Sequence, residues 1–175
     1  AAMVGRNGVL LLILAPYALL AVLPSFGLML AVSAAFVLRP GARGGSDSSA
    51  PALPLKSPFS LSSALRYGVV FVAVQVGGTL AQRTLGNVGF YVVSLVGGLV
   101  SSASAVASAG AVAALGTVPL GVAGNGAVLA SIVSAAVDLP LAARVSHDRS
   151  LARRLVAPTA AVIIAGLAGI ILRGW

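Results

Sequence analysis

The chain has 175 residues, of which 59% are hydrophobic and only 8% charged, whereas a water-soluble domain carries roughly a quarter charged residues. With a mean hydropathy of +1.08 it cannot hide its apolar surplus inside one core, which excludes an ordinary soluble enzyme or binding domain and makes the bilayer the solvent. The formal charge of +8, from 11 Lys+Arg against 3 Asp+Glu, fits cytoplasmic loops facing anionic lipid; the basic residues are scattered over separate loops, unlike the stripe that binds nucleic acid.

The expected elements are all helices. Arg6 precedes an apolar run from Gly8 to Ala15, but hydrophobicity continues past Pro16 and Pro24 to Leu38 without a small-x-small cleavage site, unlike a signal peptide. Residues 1–15 are too short for a full span and are read as the tail of a longer helix, which makes the sequence the C-terminal piece of a larger protein. Residues 17–38 form a second helix, with Pro24 tolerated near its first turns. Residues 39–57 are rich in Gly, Ser and Pro, with Arg39, Arg43 and Lys56 set against Asp47, and read as a flexible cytoplasmic loop.

A third helix begins between Pro58 and Leu61, where Pro suits the free amides of a helix start, and runs to about Gln82. Its Gln75, Thr79 and Gln82 fall on one face, which must turn to protein rather than lipid, either for interhelical hydrogen bonding or for solute contact. Arg83 to Asn87 form a tight turn. From Gly97 to Gly110 only Leu99, Val100 and Val106 are bulkier than Ser or Ala. A block this small and serine-rich marks where helices touch or where one breaks at membrane depth. After Thr117 to Pro119 come a span from Leu120 to Val145, a basic loop with Arg144, Arg149, Arg153 and Arg154, and a last span from Leu155 to Leu172. Tyr17, Tyr67, Tyr91 and Trp175 lie near span ends, as an interfacial belt requires.

Loop charge bears on the small-residue block. If residues 39–57 are cytoplasmic, the third helix exits at Arg83 on the far side, and a single crossing by residues 88–115 would put the most basic loop outside, against the positive-inside rule. If residues 88–115 instead dip in and return as two half-helices broken near Gly97 to Ser104, both basic loops are cytoplasmic. The competing arrangement is one tilted helix of about 42 Å. The favoured fold is therefore an all-α, polytopic membrane bundle of about five spans plus a re-entrant helical hairpin, one domain over residues 1–175. Pro24 precedes Arg39 across one apolar helix as Pro158 precedes Arg173 across another. In the re-entrant arrangement these helices run in opposite directions, as in an inverted repeat.

Asp138 is the one acidic residue inside an apolar span and shares a stripe with Ser131 and Ser134; it either lines a path or is solvated near the interface before Arg144. A single membrane carboxylate is a poor magnesium ligand set, and Asn125 lies roughly 20 Å from Asp138 along the helix. The sole His, His147, sits in a basic loop, so Ser101 and Ser102 have no evident base and the chain is not expected to be an enzyme. No cofactor or metal site is expected, and the absence of Cys removes thiolate ligands. Gly97 and Gly98 read as a helix-packing or helix-breaking pair. The candidate path or packing residues are Gln75, Thr79, Gly97, Gly98, Ser101, Ser102, Ser104, Ser131, Ser134 and Asp138.

Pro58-Phe59-Ser60-Leu61, Ala64-Leu65-Arg66-Tyr67, Leu80-Ala81-Gln82-Arg83, Leu85-Gly86-Asn87-Val88-Gly89-Phe90-Tyr91 and Gly97-Gly98-Leu99 together resemble the uncharacterised C-terminal membrane domain attached to bacterial MgtC/SapB-like proteins. The resemblance implies a bacterial inner-membrane protein whose MgtC-like N-terminal portion is missing here, in a family loosely associated with magnesium homeostasis and membrane transport. Two departures stand out. Where the family carries carboxylates after the Gly-Leu, this chain has Ser101 and Ala103; where relatives carry Asn-Thr-x-x-Lys on the next helix, it has Ser134-Ala135-Ala136-Val137-Asp138. Two functions follow as expectations: part of a transporter or channel for an ion or small solute, or a packing or regulatory module that transports nothing and serves an MgtC-like domain, a partner protein or a second copy.

Overall fold

The computed structural model describes residues 2–38, 61–146 and 149–173; the expected loop at 39–57, His147 and Trp175 lie outside the described residues. Among these the chain forms α1 (Ala2–Leu14), α2 (Pro16–Ala21), α3 (Leu23–Leu38), α4 (Leu61–Ala114), α5 (Leu120–Ser146) and α6 (Arg149–Arg173), with no strand. Three stretches of the described residues, 64–114, 120–140 and 155–172, are long and apolar enough to cross a membrane, and mark the chain as a membrane protein. Along the first part of α4, Val69, Val72, Val76 and Leu80 are all more than half exposed, an apolar face suited to acyl chains.

The expected continuous helix over residues 17–38 is instead split at Val22 (φ −117, ψ 18), between α2 and α3. Proline explains the punctuation. Pro16 opens α2 after an extended Ala15, and Pro24 falls in the first turn of α3, where its missing N–H has no intrahelical acceptor to lose. Deeper inside a continuous helix it would forfeit the bond to the Leu20 carbonyl and clash with it.

α4 is one helix in name only, because its backbone leaves helical geometry at Gly86 (φ 64, ψ −151) and Ser101 (φ −162, ψ 106). Three limbs result: 61–85, 87–100 and 102–114. A β-carbon on Gly78 would stand 3.1 Å from the Phe90 ring and one on Gly97 would stand 2.8 Å from Val74 Cγ2, yet a straight helix would separate these pairs by about 18 and 34 Å. The chain therefore reverses at Gly86, in a backbone conformation reserved for glycine. It reverses again at Ser101. The Gly97 position lies 3.2 Å from Ala105 Cβ, where eight residues of straight helix would span about 12 Å.

The third limb ends in a Schellman motif around Gly116 (φ 67). The Gly116 amide donates to Ala113 and the Thr117 amide to Val112, and the Thr117 hydroxyl adds a second bond to the Val112 carbonyl. α5 then runs parallel to the second limb, with Gly98 against Ala130 and Gly126 against Ser94. Antiparallel to α5 run α1, through Asn7 and Ser131, and α6, through Ile132 and Gly166. α3 lies antiparallel to α6, with Ser25 against Gly169 and Met29 against Gly166. α5 is the central helix, with Ala123, Ala127, Val128, Ala130 and Ser131 wholly buried.

These directions sort the molecule into two ends. At one, the distal end, lie Gly86 and the Gly116 turn; at the other, the proximal end, α3 finishes, α4 starts, α5 finishes and α6 starts. Ser101 lies about 22 Å from the distal turn at Gly86, while the first limb measures about 37 Å. The second reversal is therefore at mid-depth.

Candidate functional site

Ser101 is the N-cap of the third limb. Its extended backbone is the one a cap residue adopts, and its Oγ accepts a hydrogen bond from the Ser104 amide at 3.3 Å. Serine at this position thus ends one half-helix and starts the next without leaving the Ser104 amide unpaired. The amides of Ser102 and Ala103, in the first turn, have no acceptor within their own helix.

A cavity of about 890 Å³ lies on the proximal side of this break, bounded by residues of α1, the three limbs of α4, and α5. Ser101, Ser102 and Ser104 form its roof. Tyr67 and Phe71 on the first limb, Met3 and Arg6 on α1, and Ser134 and Asp138 on α5 form its walls. Arg6, Tyr67 and Asp138 remain exposed, so the cavity is open. The Ser104 hydroxyl donates to the Tyr67 carbonyl at 3.4 Å and ties the third limb to the first. Arg6 reaches the roof: its Nη2 donates to Ser102 Oγ at 3.4 Å.

Beside Arg6, Asn7 is fully buried and its Nδ2 donates to Ser131 Oγ at 2.9 Å, while Ser131 donates onward to the Ala127 carbonyl at 2.9 Å. The Asn7 Oδ1 is buried without a partner. On the distal side of the roof, Val106, Ser108, Ala109 and Val112 are packed shut.

The structure therefore divides the expected residues. Ser101, Ser102, Ser104, Ser134 and Asp138 meet at one cavity. Gln75 and Thr79 do not line it; the Thr79 hydroxyl donates to the Gln75 carbonyl one turn back, and Gln82 Nε2 donates to Asn87 Oδ1 across the Gly86 reversal. Gly97 and Gly98 are packing positions, since a β-carbon on Gly98 would stand 2.5 Å from the Ala130 carbonyl oxygen. Ser131 braces α1 through Asn7. Arg6 and Asn7 were absent from the expected site. The available signal was an Arg-Asn pair set in an otherwise apolar segment, where ionisable residues are costly and so mark function. Among the described residues, no three His, Cys, Asp or Glu side chains are grouped to hold a metal ion.

No curated protein and no solved structure matches the chain. The family model described as "Domain of unknown function (DUF4010)" matches residues 1–146, well over half of the length, and the chain therefore belongs to the DUF4010 family.

Proposed function

We propose that this chain is a multi-pass protein of the bacterial inner membrane, of the MgtC/SapB-like type, and forms part of a path for an ion or small solute. The observation that carries the proposal is a helix broken at mid-depth directly above an open cavity lined by hydroxyls and charge. Backbone outside helical geometry is tolerated at that depth where it lines a cavity or is buried in protein, and transporter sites are commonly built from such half-helices. The second and third limbs then form a re-entrant hairpin, since each is shorter than the roughly 20 residues a crossing needs. The remaining helices make about five passes, of which α1 and α3 are the short ones, and α3 and α6 stand as opposed members of an inverted repeat.

Under the positive-inside rule the proximal end is cytoplasmic, because the basic segments 39–57 and 144–154 join helices there; these segments also favour contact with anionic lipid. The cavity is then a cytoplasm-facing vestibule, with Ser101, Ser102 and Ser104 as its roof and the packed third limb as the barrier beyond. Movement of that limb relative to α1 and α5 would open the far side.

A second reading has its own support. Gly97, Gly98, Thr79 and Ser131 are engaged in packing or internal bonding, which suits a non-transporting module that steadies an MgtC-like domain or a second copy. Solute flux in proteoliposomes separates the two. Ser102→Leu, which fills the roof, and Asp138→Asn, which removes the wall carboxylate, should each reduce flux at least several-fold. Unchanged flux in both variants, or no flux from the wild-type protein across a panel of ions and small solutes, would refute the transport reading and favour the module.

A further inference from the structure

The two half-helices that meet at Ser101 both point at the vestibule. The second limb presents its closing carbonyls and the third limb its opening amides, with partial charges of about −0.5 and +0.5 that largely cancel. Arg6 breaks the tie with a full positive charge. Its hydrogen-bond partner is a neutral hydroxyl, Ser102 Oγ, on the amide side of the break, and a guanidinium has five N–H donors to place. Among the described residues the carboxylate lining the cavity is Asp138, which lies about 10 Å further along α5 than Ser131, whose partner is Asn7. The roof is thus rich in donors, and among the described residues its cation is paired with a hydroxyl rather than a carboxylate.

We infer that the roof of the vestibule is a receptor for an oxyanion, of the carboxylate or phosphate class, held between the Arg6 guanidinium and the amides of Ser102 and Ala103. This deepens the transport reading by giving its ligand a chemical class. A planar guanidinium fork matches two oxygens of such a group, and the amides of a helix's first turn complement the same charge. Hydroxyls of Ser101, Ser102 and Ser104 add donors around it. The cavity, at about 890 Å³, is within the range of small-molecule sites and leaves room for an organic body below the anionic group.

The test is equilibrium binding by calorimetry to the purified full chain in a phosphate-free maltoside micelle. Inorganic phosphate, acetate and phosphatidylglycerol are titrated separately against sodium chloride and magnesium chloride at matched ionic strength. Phosphate or acetate should bind above the chloride background, Arg6→Gln should weaken binding at least tenfold, and Arg6→Lys should fall between, having charge without the fork. Ser102→Pro guards against a misfolded Arg6 variant. Proline is well suited to the first position of a helix, keeps Arg6 and removes one roof amide, and should weaken binding about threefold.

Binding by phosphatidylglycerol alone, lost in the same variants, would support the receptor and identify a lipid head group as its source. No oxyanion binding above chloride, equal binding in Arg6→Gln and Ser102→Pro, or a response to magnesium chloride alone would overturn the inference. A protein that binds phosphate but passes no solute keeps the receptor and loses the transport reading. One that passes a cation or neutral solute and binds no oxyanion does the reverse.

Discussion

Replacing Gly98 by Ala adds a single methyl group where the second limb crosses α5. That methyl would stand 2.5 Å from the Ala130 oxygen, 2.7 Å from its Cα and 3.0 Å from its carbonyl carbon. The shortest of these is about 0.9 Å inside the 3.4 Å at which ordinary contact begins. All three atoms are backbone, so no side-chain rotation relieves the overlap, and α5 has little room to retreat because Ala127, Val128 and Ala130 are wholly buried. Overpacking of this kind typically costs about 1–3 kcal/mol, set against a gain of about 1 kcal/mol in helix propensity for Ala over Gly. Gly27, on α3, has no atom within 4 Å of its would-be β-carbon, so Gly27→Ala should collect the propensity gain alone. The two substitutions, chemically identical, should differ by about 1–3 kcal/mol in reversible unfolding from mixed micelles, with Gly98→Ala the less stable. Equal stabilities would refute the close approach of the second limb to α5, and with it the course of the chain up to Ser101.

Two further outcomes are expected. Single cysteines at Asn87 and Thr117 should react with an impermeant maleimide from the same side of intact cells and one at Ser62 from the other; labelling of Thr117 from the side of Ser62 would refute the reversal at Ser101. Ser131→Ala strands the Asn7 amide, at a cost of about 1–2 kcal/mol for a buried donor between membrane helices, and adding Asn7→Leu should cost less than its effect alone, whereas strict additivity in the cycle would show that the two side chains are not coupled.

The reversals of α4 were legible because they are written in local residues and in loop charge. Gly86 stands within the turn expected between Arg83 and Asn87, and Ser101 within the break expected between Gly97 and Ser104. Only an even number of traverses between the third helix and α5 leaves the two basic segments at one end. Asp138 and Ser134 could be placed on one face of α5 from their spacing alone. What lay beyond the sequence were partnerships across long stretches of chain. Arg6 meets a residue 96 positions away and Asn7 one 124 positions away, and no periodicity within α1 specifies either. Gln75 and Thr79 show the converse: a polar stripe on a helix can satisfy itself one turn back, so spacing alone does not say that it faces a site. The break at Val22 was missed because Pro24 was placed inside a helix that the same proline obliges to restart.

The third limb has a bearing on how the protein reaches its final state in the membrane. At about 19 Å it is too short to partition as a span, and its Ser102, Ser104 and Ser108 are all buried against protein. Released into lipid alone, that serine face would have little to bond with except its own backbone. The segment is therefore a late guest, seated only after a groove between α1 and α5 exists to receive it. Since α5 follows it in the chain, its placement must wait for sequence that emerges later, and any lesion that delays α5 should leave the second and third limbs without their seat.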